Sequence, residues 1–483
     1  MRRRAAAWLI GLAALSAQQA HAGPAAPCRL PGLAHEALCG SLPRALDPAR
    51  PDGPRIEVHY AVVPALARRK LGDPVFLLAG GPGQSAIGVA PALMGLFARL
   101  NQRRDIVFVD QRGTGHSAPL ACDDADDMPL SEQADVEATL RRLAGCRTRL
   151  QALPHGRDGG LAFFTTVLAS QDLDAVRRAL GAERINLVGI SYGTRVALDY
   201  QRQFPQAVRR SVLDGVAPPD MGLPASASAD AQAALDALLD ACAAELPCRT
   251  AWPDLRGDWQ RLLAALPREL SLADPRSGRP GRVTLTREAL LGAVRGPLYA
   301  PALAAGLPAA IGAAAGGRFE PLAALAGVLA PRGATQVYGG MHFSVVCAED
   351  LPPRAAGAEP PARDFGRGLL PLYERACADW PRAAVPEAFY RLPTAASPVL
   401  MLSGGLDPAT PPRHARRVAA ALGPQARSLV VGHAGHGVLG IGCAPDLLTR
   451  FIDSTEDAAA LALDAACLAA IPRPPAFVPE GLR

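Results

Sequence analysis

The pentapeptide Gly189-Ile190-Ser191-Tyr192-Gly193 constrains this chain more than any other feature. It follows the apolar run Ile185-Asn186-Leu187-Val188. It precedes a segment with Val196, Tyr200 and Phe204 at helical spacing, closed by Pro205. A strand that turns into a helix through Gly-x-Ser-x-Gly must bend sharply. Small residues two positions before and after the serine let the backbone close and leave the hydroxyl exposed. The pattern therefore predicts a parallel sheet, with Ser191 at the carboxyl end of a strand. Taken alone, the five residues also fit a Gly-containing strand-to-helix turn with no chemistry.

Three other segments bear on that choice. A serine nucleophile needs a base, an acid that orients the base, and donors for the oxyanion, with chain order Ser, Asp or Glu, His. The run Val399-Leu400-Met401-Leu402 reads as a buried strand, and Asp407 lies in the loop beyond it. The run Leu429-Val430-Val431 leads into His433 and His436. Upstream, Val75-Phe76-Leu77-Leu78 leads into Ala79-Gly80-Gly81-Pro82-Gly83, a loop able to turn backbone N–H groups toward an oxygen. All four segments follow predicted strands, where ligands of open parallel sheets bind. Asp407 also fits an ordinary turn before Pro408.

With these pieces in view, the chain resembles the proline iminopeptidase and tripeptidyl aminopeptidase-like branch of the α/β hydrolases. The resemblance rests on Gly80-Gly81-Pro82-Gly83, Asp110-Gln111-Arg112-Gly113-Thr114-Gly115-His116-Ser117, the elbow, Leu213-Asp214-Gly215, and the Asp407 and His436 loops. Ala79 before the glycine loop and Ser-Tyr-Gly at the elbow resemble the secreted tripeptidyl-aminopeptidase-like members. The resemblance implies Ser191 as nucleophile, Asp407 as orienting acid and His436 as base, preferred over His433. It implies an oxyanion hole of the Gly81 and Tyr192 N–H groups. Asp110 and Arg112 are expected to be a structural pair bracing the turns around the site. Related sequences carry an acid just after a cysteine, as in Cys347-Ala348-Glu349-Asp350. Glu349, with Asp350 second, is thus the expected partner of a substrate ammonium, against a plain solvated acidic pair.

The amino terminus reads as a signal peptide over residues 1–22. Met1-Arg2-Arg3-Arg4 is basic, Ala5 to Ala17 is mostly apolar, and Ala20-His21-Ala22 fits a cleavage site. The apolar stretch is shorter than the roughly 20 residues of a membrane-spanning helix. Cleavage would remove three arginines from a formal net charge of only +5, which gives no argument for nucleic acid. A periplasmic or secreted protein, free of the membrane after cleavage, is expected. The ten cysteines fit export. Sequential pairing would close short loops: Cys28–Cys39, Cys122–Cys146, Cys242–Cys248, Cys347–Cys377 and Cys443–Cys467. Zinc is the rival, but no Cys-x-x-Cys is present.

The chain is longer than one hydrolase core. The fold expected is α/β: a mostly parallel central sheet flanked by helices, with a mostly helical lid between core strands 6 and 7. The core would occupy 23–216 and 396–483, and the lid 217–395. The lid span is too long for a loop. Within it Ala231–Leu246, Trp259–Leu266 and Arg287–Val294 read as helices.

The chemistry these residues allow is acyl transfer. Serine is a weak nucleophile at neutral pH and needs a base within hydrogen-bond reach. No metal or organic cofactor is required. Two enzyme functions share the triad: an aminopeptidase cutting N-terminal units from peptides, and a carboxylesterase or lipase acting on esters. A non-catalytic binding protein on the same fold is the third reading.

Overall fold

The apolar runs picked out above become strands of one sheet. The computed structural model describes residues 25–122, 132, 135–275, 277–328, 336–351 and 361–480. The expected signal peptide, residues 1–22, lies outside the described residues. The strands are β1 (Ala26–Cys28), β2 (Ala37–Ala45), β3 (Arg55–Val63), β4 (Val75–Leu78), β5 (Ile106–Val109), β6 (Ile185–Ile190), β7 (Val208–Asp214), β8 (Arg268–Ala273), β9 (Pro280–Leu285), β10 (Val399–Gly404) and β11 (Ala426–Val431). The main sheet runs β1-β2-β3-β5-β4-β6-β7-β10-β11. Pairing is antiparallel from β1 through β3 to β5 and parallel from β5 to β11.

Strands β4, β5 and β10 are buried along their whole length, which is why each reads as an unbroken apolar run rather than an alternating one. Successive residues still point to opposite faces. Phe76, Val107 and Met401 pack into one cluster, and Val75, Phe108 and Leu400 into the other. Each such side chain contributes about 1.5–3 kcal/mol by leaving water.

Between β7 and β10 the chain builds the helical insertion. Its first helix is Leu223–Ala244, longer at the front than the sequence spacing predicts and ending short of Leu246. Pro224 sits in its first turn, where its missing N–H costs nothing. Pro247 opens a separate short helix, Leu246–Ala251. The other two expected helices run Leu255–Ala264 and Arg287–Leu298. The antiparallel hairpin β8–β9 was not expected from sequence.

The insertion packs in two ways. Its first part has its own core, with Trp259, Leu235, Leu290 and Ile311 wholly buried. Its second part belongs to the main core. Met341, Phe343 and Val345, on the helix Gly339–Glu349, cluster with Leu187 and Val399 of the sheet. This helix is buried along nearly its whole length, as expected of one packed into the core.

All ten cysteines are joined, as Cys28–Cys39, Cys122–Cys146, Cys242–Cys248, Cys347–Cys377 and Cys443–Cys467. None is left to hold zinc. Among the described residues no group of three or more His, Cys, Asp or Glu could hold a metal ion, and no helix is long and apolar enough to cross a membrane.

Candidate active site

Ser191 follows β6 directly and caps the helix Tyr192–Gln203. Its φ of 56° and ψ of −123° lie where non-glycine residues are rare. Such backbone costs on the order of 1–3 kcal/mol and is held by its surroundings. Here those are the Ser191 N–H donating to Asp214 O at 2.8 Å, and the Thr194 hydroxyl and N–H donating to Ser191 O at 2.6 and 2.9 Å. The flanking glycines are steric necessities. A Cβ on Gly193 would stand 2.0 Å from Leu78 O, and one on Gly189 2.6 Å from Gly193 O.

Asp407 lies just past β10, and His436 just past β11. Asp407 Oδ2 and His436 Nδ1 are 2.8 Å apart. Asp407 is fully buried and His436 is 16% exposed. Burial would raise the Asp407 carboxyl, but the charge and hydrogen bond of His436, with the N–H groups of Thr410 and Ala409, hold it below the usual carboxylate value. Burial opposes a charged imidazole, yet Asp407 and then Asp214 outweigh it and hold His436 above its usual 6.5. His433 is exposed, so the structure brings His436, not His433, to Asp407.

The Tyr192 N–H is in the first turn of its helix, where backbone donors lack intrahelical partners. The glycine loop passes alongside Ser191, since a Cβ on Gly80 would lie 3.3 Å from Ser191 Cβ. Gly81, the next residue, has φ +112°. The insertion braces this loop. Tyr338 N–H donates to Gly83 O at 2.8 Å, and His342 Nδ1 donates to Pro82 O at 3.1 Å. His342 Nε2 then accepts from the Tyr373 hydroxyl at 2.6 Å, a neutral tautomer that burial favours.

Glu349 and Asp350 require a correction. Both side chains are 0% exposed, as is Arg195, with which both pair, at 3.5 and 3.0 Å. Glu349 accepts from the Thr166 N–H at 2.6 Å and hydroxyl at 2.8 Å. The Thr166 hydroxyl accepts from Tyr192 at 2.6 Å, and Tyr192 accepts from Gln111 at 2.9 Å. These carboxylates are thus not on a solvent-facing lid surface. Chain packing buries them under the elbow helix, where Arg195 offers a fixed cation. Burial pushes Glu349 up to about 7, against the opposing pull of Arg195 and Thr166.

Asp110 and Arg112 are corrected in a smaller way: they do not pair with each other. Asp110 accepts from the Ser85 hydroxyl at 2.6 Å and from the N–H groups of Ile87 and His116 at 3.1 Å. Arg112 makes two bonds to Asp172, at 2.7 and 3.0 Å, and donates to the carbonyls of Leu46 and Phe163. Asp110 is already filled by short-range donors, so Arg112 reaches across to the helix Thr166–Ala179.

Sequence reasoning assigned no role to three residues at the site. Thr410 Oγ1 donates to Asp407 Oδ2 at 2.8 Å and lies 3.1 Å from His436 Nδ1. Asp407 accepts from the N–H groups of Ala409 and Thr410, forming a turn that Asp407-Pro408 foreshadows. Asp214 accepts from the N–H groups of Val438 and Leu439. Tyr299, on the insertion, packs edge-on against the His436 ring; no local sequence pattern marks it.

A strained serine elbow, a His–Asp pair on neighbouring strand ends and a glycine loop beside the serine define a serine hydrolase of the α/β-hydrolase fold. Comparison with known proteins narrows this. A family model for the alpha/beta hydrolase fold matches residues 73–240, and one for TAP-like protein matches 362–467. Serine protease Hip1 of Mycobacterium tuberculosis (strain ATCC 25618 / H37Rv) is 29% identical over 430 residues, covering 80% of each chain. Tripeptidyl aminopeptidase of Streptomyces lividans is 34% identical over 200 residues, 38% of this chain and 35% of that one. Carboxylesterase B of Mycobacterium tuberculosis (strain CDC 1551 / Oshkosh) is 29% identical over 415 residues, 78% of this chain and 76% of that one. The chain is a TAP-like α/β hydrolase, and its relatives support a serine peptidase.

Proposed function

We propose that the chain is an exported serine aminopeptidase that releases N-terminal residues or short units from peptides. The observation that carries the mechanism is the His436–Asp407 contact at 2.8 Å. It commits Nδ1 to the carboxylate and leaves Nε2 for the serine. His436 takes the Ser191 proton as the hydroxyl oxygen attacks the scissile carbonyl carbon, and the oxyanion is received by the Tyr192 and Gly81 N–H groups. His436 then protonates the leaving amine, and water hydrolyses the acyl-enzyme. The five disulfides support export to the periplasm or medium.

A carboxylesterase reading has an observation in its favour: Glu349 and Asp350, the expected ammonium partners, are buried. Paired fluorogenic substrates decide between them. Pro-, Ala- and Ala-Ala-Pro-amides with free amino termini would be compared with N-acetylated versions and a short acyl ester, with Ser191→Ala as blank. Cleavage confined to free-amine amides supports the aminopeptidase, and the longest unit released says which kind. Rapid ester cleavage with inert amides makes the chain an esterase.

A further inference from the structure

The residue that touches the His436 loop from the insertion is Tyr299, just past the helix Arg287–Leu298. Its carbonyl accepts the His436 backbone N–H at 2.9 Å. Its ring stands edge-on to the imidazole, 5.1 Å between centroids at 74°. The fit is tight on the neighbouring residue also, since a Cβ on Gly435 would lie 2.3 Å from Tyr299 O. Tyr299 is itself held by Arg295, one helical turn back. The guanidinium donates to the Tyr299 hydroxyl at 2.8 Å and lies 5.2 Å from the ring centroid.

We infer that Tyr299 and Arg295 are positioning residues for His436, so that the seating of the helical insertion sets the geometry of the base. The inference rests on His436 being the base, as proposed above. It makes the active site a joint product of two parts of the chain. Asp407 and Thr410 hold the ring from the β10 loop, Asp214 holds the following residues from β7, and Tyr299 of the insertion packs edge-on against the ring.

The charged and titratable groups facing His436 are Asp407 and Asp214 from the sheet, and Arg295 and Tyr299 from the insertion. Asp230 acts electrostatically on Tyr299, and Tyr373 feels both Tyr299 and Arg295. Arg295 is the cation of the group and opposes the imidazolium, while both carboxylates favour it. Removing the Arg295 charge therefore makes His436 easier to protonate. The acid limb of the pH profile then moves to higher pH.

The test uses the full chain with Arg295→Gln, Arg295→Lys and Tyr299→Phe, assayed on the best amide and on a short acyl ester. Arg295→Gln is expected to lower kcat about tenfold with KM within about twofold, and to shift the acid limb of kcat/KM upward. Arg295→Lys restores the limb, because it keeps the charge. Tyr299→Phe, which breaks the tether but keeps the ring, is expected to reproduce the loss in kcat. An unmoved limb and unchanged kcat, or an effect on KM alone, overturns the inference. Titration of the His436 ring by NMR in the Ser191→Ala background reads the same effect without turnover. An upward shift with Arg295→Gln supports the inference, and an unchanged midpoint overturns it. Absence of Ser191-dependent turnover in the wild type counts against the proposed function alone.

Discussion

Asp214 accepts the Val438 N–H at 2.8 and 2.9 Å and so ties the end of β7 to the loop that carries His436. It also accepts from Leu439 at 2.9 Å. Burial nevertheless pushes the carboxyl up to about 6. Its charge also favours the His436 imidazolium. Asp214→Asn is expected to lower kcat and to move the acid limb of kcat/KM to lower pH, since His436 then loses a proton more readily. A pH–rate profile with an unmoved acid limb would contradict this role.

The Thr410 hydroxyl reaches both members of the Asp407–His436 pair. Thr410→Val keeps the shape and removes the bond to Asp407. The expected result is a fall in kcat of about tenfold with little change in KM, as for a group that acts through orientation. Steady-state kinetics on a single peptide amide would check it. An increase in KM alone would place Thr410 at substrate binding instead.

Glu349 gives a pH signature in stability. Its folded pKa of about 7 lies above the usual 4.5, so the folded state holds the proton longer than the unfolded chain. That contribution is fully present below pH 4.5 and is lost as pH rises to 7. Glu349→Gln cannot ionise. Its Tm relative to the wild type should therefore rise across that window and level off above it. The opposite slope would mean that pairing with Arg195 dominates burial. KM for free-amine peptides should not change selectively.

Arg112 is buried and satisfied at four points by Asp172 and two carbonyls. Lysine cannot reproduce that fork. Arg112→Lys should cost about 3 kcal/mol of stability, seen as a lower Tm, with turnover per folded molecule preserved in the cold. A normal Tm with abolished turnover would put Arg112 in the chemistry.

The fold was legible because its signals are local. Fully buried strands such as β4 and β10 leave continuous apolar runs, and the elbow needs glycine at 189 and 193. Chain order placed an acid and then a histidine after Ser191, and the family resemblance preferred His436 to His433; His436 Nδ1 lies 2.8 Å from Asp407. What sequence did not reveal depends on packing between distant segments. The helix Gly339–Glu349 sits in the main core because its neighbours bury it, so Glu349 meets Arg195 rather than solvent. Tyr299 and His436 are far apart in sequence, and no periodicity links them. Asp172, the partner of Arg112, lies within a helix with nothing to mark it.

The most direct measurement is covalent labelling of the intact protein with a fluorophosphonate, followed by peptide mapping. The account predicts a single adduct on the peptide containing Ser191, lost in Ser191→Ala and slowed severely in His436→Ala and Asp407→Ala. An adduct on another residue, or labelling at the wild-type rate without His436, would contradict a Ser191–His436–Asp407 site.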